Sequence, residues 1–197
     1  GETTTTNAVN KAILSVVSIN SYFTKTTSSI GFFGNNKESK EYGSAGSGVI
    51  IGGDKKQGEA YIITNYHVVY DADADVKISN KIYVYLYGQE LDKYKISATY
   101  IGGSMSYDIA VLKIQSDVYK ESNAHAATIG KSGDMPVGDS VIAIGNPNAG
   151  GIAVTQGILS MESEYITMTA ADNVSTVQIR VMRVDAAING GNSGGGL

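Results

Sequence analysis

Apolar residues in this chain come in short runs, and within several runs they alternate strictly with residues of another kind. Ile82, Val84 and Leu86 fall on one face of an extended segment, and Tyr83, Tyr85 and Tyr87 on the other. Val177, Ile179 and Val181 alternate in the same way with Gln178, Arg180 and Met182. A period of two belongs to a β-strand, whose successive side chains point to opposite faces. The pattern predicts strands over 15–19, 48–51, 61–64, 81–87, 94–101, 109–114, 140–144, 152–161 and 174–184. A helical spacing occurs only near the start, where Val9 and Ile13 lie four apart within 8–14, enough for one or two turns. No helix-length amphipathic pattern recurs between the strands, which excludes a βαβ architecture and predicts an all-β fold. Residues 1–7 read as a flexible polar linker. The stretch 21–47, polar and glycine-rich with Tyr22, Phe23, Phe32 and Phe33 embedded in it, reads as a long loop.

Composition narrows the picture without changing it. Hydrophobic residues make up 42% of the 197, enough for a core, and the 24 glycines against 2 prolines suit many turns between short strands. A net charge of -4, with no long Lys/Arg cluster, argues against nucleic acid as a partner. The chain has no cysteine, so disulfides, thiolate nucleophiles and zinc–cysteine sites are excluded. No apolar run approaches the roughly 18 residues that a membrane-spanning helix needs.

Candidate chemistry concentrates in three places. Of the two histidines, His125 sits in a polar connection, whereas His67 follows the apolar run Ile62-Ile63-Thr64 directly before a short turn. Asp108 opens the apolar run Ile109-Ala110-Val111-Leu112. Ser193 is embedded in Gly190-Gly191-Asn192-Ser193-Gly194-Gly195-Gly196. Each has a plain structural reading: a packed histidine at a strand end, a solvated strand mouth, a glycine-rich loop. Each also has a chemical one. A serine hydroxyl is a poor nucleophile until a neighbouring base takes its proton. A carboxylate on the far side of an imidazole fixes its tautomer and stabilises the imidazolium. Glycines permit the tight turn whose N–H groups face a developing oxyanion. The chain order His…Asp…Ser is that of the chymotrypsin type and differs from those of subtilisins and α/β-hydrolases.

Beyond these three residues, several segments resemble bacterial HtrA/DegP proteases. They are Gly46-Ser47-Gly48-Val49-Ile50-Ile51, Thr64-Asn65-Tyr66-His67-Val68-Val69, Asp108 to Ile114, Ala143-Ile144-Gly145-Asn146-Pro147, Val154 to Ser160 and Asp185 to Gly195. The resemblance runs from about residue 8 to the end. It implies two perpendicular six-stranded β-barrels of chymotrypsin type, roughly 8–115 and 116–197, the second incomplete at the C-terminus, with the site between them. By position it makes Ser193 the nucleophile, His67 the general base and Asp108 the orienting carboxylate. It assigns the oxyanion hole to the N–H groups of Gly191 and Ser193, and one wall of the specificity pocket to Ile188, Asn189 and Gly190. It further implies unfolded or damaged protein substrates, an extracytoplasmic location, and a homotrimer joined through the N-terminal region and residues 22–33. Further barrel strands are expected after position 197, so these residues alone are expected to turn over little substrate. A non-hydrolytic module that holds unfolded chains is the alternative reading.

Other motifs fall short. Asp71 to Asp75 imitates the start of a calcium loop, but Val76 stands where the turn glycine belongs and Ile82 where the closing glutamate does. Gly130-Lys131-Ser132 lacks the strand–loop–helix setting of a phosphate loop. No cofactor and no metal are implied.

Overall fold

The computed structural model describes residues 4–32, 34–145, 153–170, 172–186 and 193–197. Six strands close into a barrel: β1 (Val16–Gly31), β2 (Gly34–Gly52), β3 (Glu59–Thr64), β4 (Lys81–Leu86), β5 (Ile96–Ser104) and β6 (Ile109–Gln115). Around the barrel their order is β1-β2-β3-β6-β5-β4, every neighbouring pair antiparallel. Closure gives each of the six strands two neighbours within the barrel. The alternating positions fill its interior: Val17, Ile19, Ile50, Ile62, Ile82, Val84, Leu86, Leu112 and Ile114 are all buried. Burying each of these side chains contributes about 1.5–3 kcal/mol, which is why the period-two positions decide the barrel.

A second sheet follows. β7 (Ser140–Gly145), β8 (Ala153–Thr169) and β9 (Thr176–Val184) pair antiparallel in that order. Among the described residues there are three short α-helices, α1 (Thr4–Ala12), α2 (Tyr66–Val69) and α3 (Asp117–Glu121), and four single 3₁₀ turns. Helix α3 is capped by Ser116, whose Oγ accepts from the Val118 N–H at 3.1 Å.

Two sequence expectations need correction. Helix α1 opens at Thr4, inside the stretch expected to be linker, and is almost wholly exposed apart from Val9. Lys11 in its last turn suits the carbonyl end of the helix dipole. The stretch 21–47 is no loop. Strands β1 and β2 stay paired from Val16↔Val49 out to Gly31↔Gly34, while β4 accompanies β1 only as far as Tyr22↔Lys81. Residues 24–31 and 34–41 therefore leave the barrel as a two-stranded ribbon exposed on both faces. With water on both sides, neither face need be apolar, so the alternation that marks the other strands is missing here. The aromatic residues divide accordingly. Phe23 is buried and stacks on Tyr42 with ring centroids 5.8 Å apart, and Tyr22 meets Tyr83 edge-on at 6.0 Å. Phe32 stands fully exposed at the ribbon tip, and Phe33 lies outside the described residues.

Asp75 fastens the ribbon where it leaves the barrel. Its carboxylate accepts from the Thr26 N–H at 3.0 Å and from the Thr26 hydroxyl at 2.6 Å, and its own N–H donates to the Thr24 carbonyl at 2.9 Å. The hydroxyl and then the backbone bond from Thr26 hold the Asp75 carboxyl below its ordinary value of 3.8. A depressed folded value means that this contribution is present above the ordinary carboxylate value and is lost as pH falls through the folded one. Amide exchange at Thr26 should thus be slow at neutral pH and faster, relative to the barrel amide of Ile62, once pH falls below the folded carboxyl value. Asp75→Ala should produce the same loss at neutral pH; unchanged Thr26 protection in that variant would contradict the role.

Candidate active site

Strand β3 delivers the histidine and β6 the carboxylate, on neighbouring strands of the barrel. Beyond Thr64 the chain turns through Asn65 into α2, where His67 is the second residue. An N–H in the first turn of a helix has no partner within it. Asp108 supplies one: its Oδ1 accepts from the His67 N–H at 3.0 Å. The other oxygen, Oδ2, lies 2.8 Å from His67 Nδ1. An ionised carboxylate can only accept, so the ring proton belongs on Nδ1 and the lone pair on Nε2. The Asp108 side chain is 17% exposed and that of His67 48%, so the acid is shielded while the base stays accessible.

Asp108 reaches this position from an uncommon backbone conformation. Its φ is 52°, in the left-handed region that aspartate tolerates better than most residues. Two bonds hold the turn. The Asp108 N–H donates to the Met105 carbonyl at 3.2 Å, and the Asp108 carbonyl accepts from Asn65 Nδ2 at 3.0 Å.

Ser193 is moored to both sheets. Its carbonyl accepts from the Ser47 N–H of β2 at 2.6 Å. Three residues on, Gly196 exchanges both backbone bonds with Ile144 of β7, at 2.8 and 2.9 Å. Ser47 in turn accepts, through its carbonyl, from the hydroxyl of Thr64 at 2.8 Å. The serine turn is thus tied, through one residue of β2, to the segment that carries the histidine. Only glycine fits directly after Ser193. Gly194 has φ 81°, and a Cβ there would lie 2.0 Å from the Ser47 carbonyl oxygen. Gly46 is similarly confined, since a Cβ there would lie 2.6 Å from Val68 of α2 and 3.2 Å from the Ser193 carbonyl. Among the described residues no hydrogen bond joins His67 to Ser193. Such catalytic bonds are often long before substrate binds and tighten only in its complex. Gly191, Ile188, Asn189 and Gly190 lie outside the described residues, as does Asn192.

A cavity of about 360 Å³ opens at the His67 ring. The barrel contributes Tyr70, Asp71, Met105 and Asp108 to its wall, and the connection between β8 and β9 contributes Ala170 and Asn173. His125 is elsewhere: its Nδ1 lies 3.3 Å from the Ser15 hydroxyl and 3.1 Å from the Ala126 carbonyl. Sequence reasoning missed Ser47, Thr64 and Asn65 as individual contributors, although all three lie inside the segments that carried the resemblance. Met105 and Tyr70 left no signal, because nothing in a lone apolar residue tells a cavity wall from a packed core.

Residues 46–197 match the family described as trypsin-like peptidase domain, and the chain belongs to that family. Its relatives include proteins named as HtrA and DegP-like serine proteases. It is 38% identical over 206 residues to the serine protease Do-like HtrA of Lactococcus lactis subsp. cremoris (strain MG1363), covering 99% of this chain and 46% of the relative. It is 40% identical over 162 residues to the corresponding Bacillus subtilis (strain 168) protein, covering 81% of this chain and 32% of that one. A solved HtrA-type protease with a decapeptide superposes with TM-score 0.65 at 34% identity, over 96% of this chain and 53% of that chain. The chain spans between 32% and 53% of the length of these relatives. The resemblance read from the motifs and the chymotrypsin-type all-β fold are both borne out.

The confinement of Gly194 yields a test. Gly194→Ala places a methyl group against backbone and forces a left-handed φ on a residue with a side chain, at a cost of ~2 kcal/mol or more. It should lower the melting temperature in thermal unfolding. Gly130→Ala, where a Cβ meets nothing within 4 Å, should leave it unchanged. A wild-type melting temperature in Gly194→Ala would contradict the placement of the serine turn.

Proposed function

We propose that the protein is a serine endopeptidase of HtrA type that cleaves unfolded or damaged proteins outside the cytoplasm. The two-point contact of Asp108 with His67, on the ring nitrogen and on the backbone, is the observation that carries this reading. In the proposed reaction the Ser193 hydroxyl oxygen attacks the scissile carbonyl while His67 Nε2 takes its proton. Asp108 keeps the Nδ1 proton in place and stabilises the imidazolium. The tetrahedral oxyanion is received by the N–H groups of Gly191 and Ser193. Collapse breaks the peptide C–N bond, and His67 returns its proton to the leaving amine. A water molecule, deprotonated by the same histidine, then attacks the Ser193 ester; the acyl C–Oγ bond breaks, His67 returns the proton to Ser193 Oγ, and the second product leaves as a carboxylic acid. Every step is proton transfer and acyl transfer among this chain's own groups and water.

Ile188, Asn189 and Gly190 are proposed as one wall of a pocket for small aliphatic side chains, within a peptidase domain running from 8 to 197. The decapeptide in the related structure supports a cleft that accepts extended peptide. Relatives named as periplasmic endoproteases support the extracytoplasmic location. Assembly as a homotrimer through the N-terminal region and the ribbon is likewise part of the proposal. Ile30 and Phe32, 90% and 101% exposed at the ribbon tip, are groups such an interface would cover, whereas Phe23 is already committed to its own barrel.

The test is turnover of an unfolded protein substrate by the protein at its natural full length. Asp108→Asn should lower kcat by about 10⁴-fold, because an amide can leave the imidazole in the wrong tautomer. Ser193→Ala should abolish cleavage while still binding the unfolded chain. Wild-type protein that binds the substrate and never cleaves it would overturn the enzyme reading in favour of a holding module.

A further inference from the structure

We infer that Asn65 is a positioning residue of the triad, whose side-chain amide keeps Asp108 in the backbone turn from which both carboxylate oxygens reach His67. The inference rests on the reading of His67 and Asp108 as the catalytic pair, and it gives a role to a residue that touches neither substrate nor reacting atoms.

Asn65 occupies the N-cap position of α2, with extended φ and ψ of -80° and 143°. Asparagine is favoured there because its side-chain oxygen can accept from an N–H in the first helical turn. Asn65 makes no such bond. The N–H it could have capped, that of His67, donates to Asp108 Oδ1 instead, at 3.0 Å. Asn65 turns its Nδ2 onto the Asp108 carbonyl, at 3.0 Å. The two residues have exchanged duties across 43 positions of sequence: Asp108 caps the helix that carries His67, and Asn65 anchors the backbone that carries Asp108. The assignment of the amide is unambiguous, because a backbone carbonyl only accepts and the atom facing it must be the NH₂ group.

The anchor is needed because Asp108 stands at φ 52°. Left to itself an L-residue prefers a right-handed or extended backbone, and either would redirect the carboxylate. The Met105 contact holds the N–H side of Asp108 at 3.2 Å, and Asn65 holds the carbonyl side. The donor comes from the same turn that carries the histidine. Any movement of that turn therefore takes Asp108 along with it, and the 2.8 Å bond to Nδ1 is preserved.

Substitutions at 65 separate this role from helix capping. Aspartate caps a helix as well as asparagine does, but it has no donor for the Asp108 carbonyl. Capping alone predicts that Asn65→Asp behaves as wild type. Positioning predicts that Asn65→Asp is no better than Asn65→Ala, both losing about 10–100-fold in kcat with KM within about twofold. Asn65→Gln, which keeps the NH₂ on a longer arm, should recover part of what Asn65→Ala loses. The measurements are steady-state kinetics of the full-length protein on a peptide substrate and the low-field NMR resonance of the His67 Nδ1 proton. That resonance should be present in wild type and in Ser193→Ala, and lost or broadened in Asn65→Ala and Asn65→Asp. Wild-type kcat in Asn65→Asp, or an unchanged resonance in Asn65→Ala, would overturn the inference. If Asn65→Asp does not fold, the Ala and Gln variants decide alone: Gln no better than Ala overturns it. If the wild type shows the resonance and the variants lose it, yet no form cleaves peptide, the positioning stands and the catalytic reading fails.

Discussion

Both carboxylate oxygens of Asp108 are committed to one histidine, one to the ring at 2.8 Å and one to the backbone at 3.0 Å. A single bond to the ring would set the tautomer and still let the imidazole swing. The second fixes the turn from which the ring projects, so the carboxylate positions the imidazole through its backbone as well as through its ring. The geometry requires β3 and β6 to be neighbours in register, with Thr64 opposite Ala110 at their shared end. That register is imposed by the buried alternation of Ala60, Ile62 and Thr64 against Ala110, Leu112 and Ile114. Slipping either strand by one residue would turn these side chains outward, so core packing and the geometry of the His67–Asp108 pair are set by one constraint.

The serine is held by a different device. Its turn lies against β2 on one side and β7 on the other, so its position depends on backbone contacts with both sheets. The Ser47 carbonyl leaves no room for a Cβ at 194, and the Val68 side chain leaves none at 46, which explains glycine at both positions in physical terms. The Thr64 hydroxyl on the Ser47 carbonyl joins the two devices, because Thr64 immediately precedes the Asn65 turn.

Much of the barrel was legible in the chain because its strands are half-buried, and half-burial writes a period of two. Ile82, Val84 and Leu86 show this plainly: all three are buried. The ribbon was illegible for the complementary reason. Thr24 to Ser29 face water on both sides, so the signal that marks a strand is absent while the hydrogen-bonded register persists. His67 and Asp108 were legible as residue types at strand ends, and the structure brings them together. The clasp of Asn65 was not, since it depends on a positive φ at Asp108 that no local pattern announces. Nor could spacing reveal that Asp75, in the stretch that imitates the start of a calcium loop, fastens the ribbon.

The central claim is that Ser193 is made nucleophilic by the His67–Asp108 pair. The most direct measurement is peptide mapping after treatment of the full-length protein with a fluorophosphonate, which reacts with activated serines. The account predicts one adduct, on Ser193, that disappears in His67→Ala. An adduct on another of the serines, or equal labelling of Ser193 without His67, would contradict it.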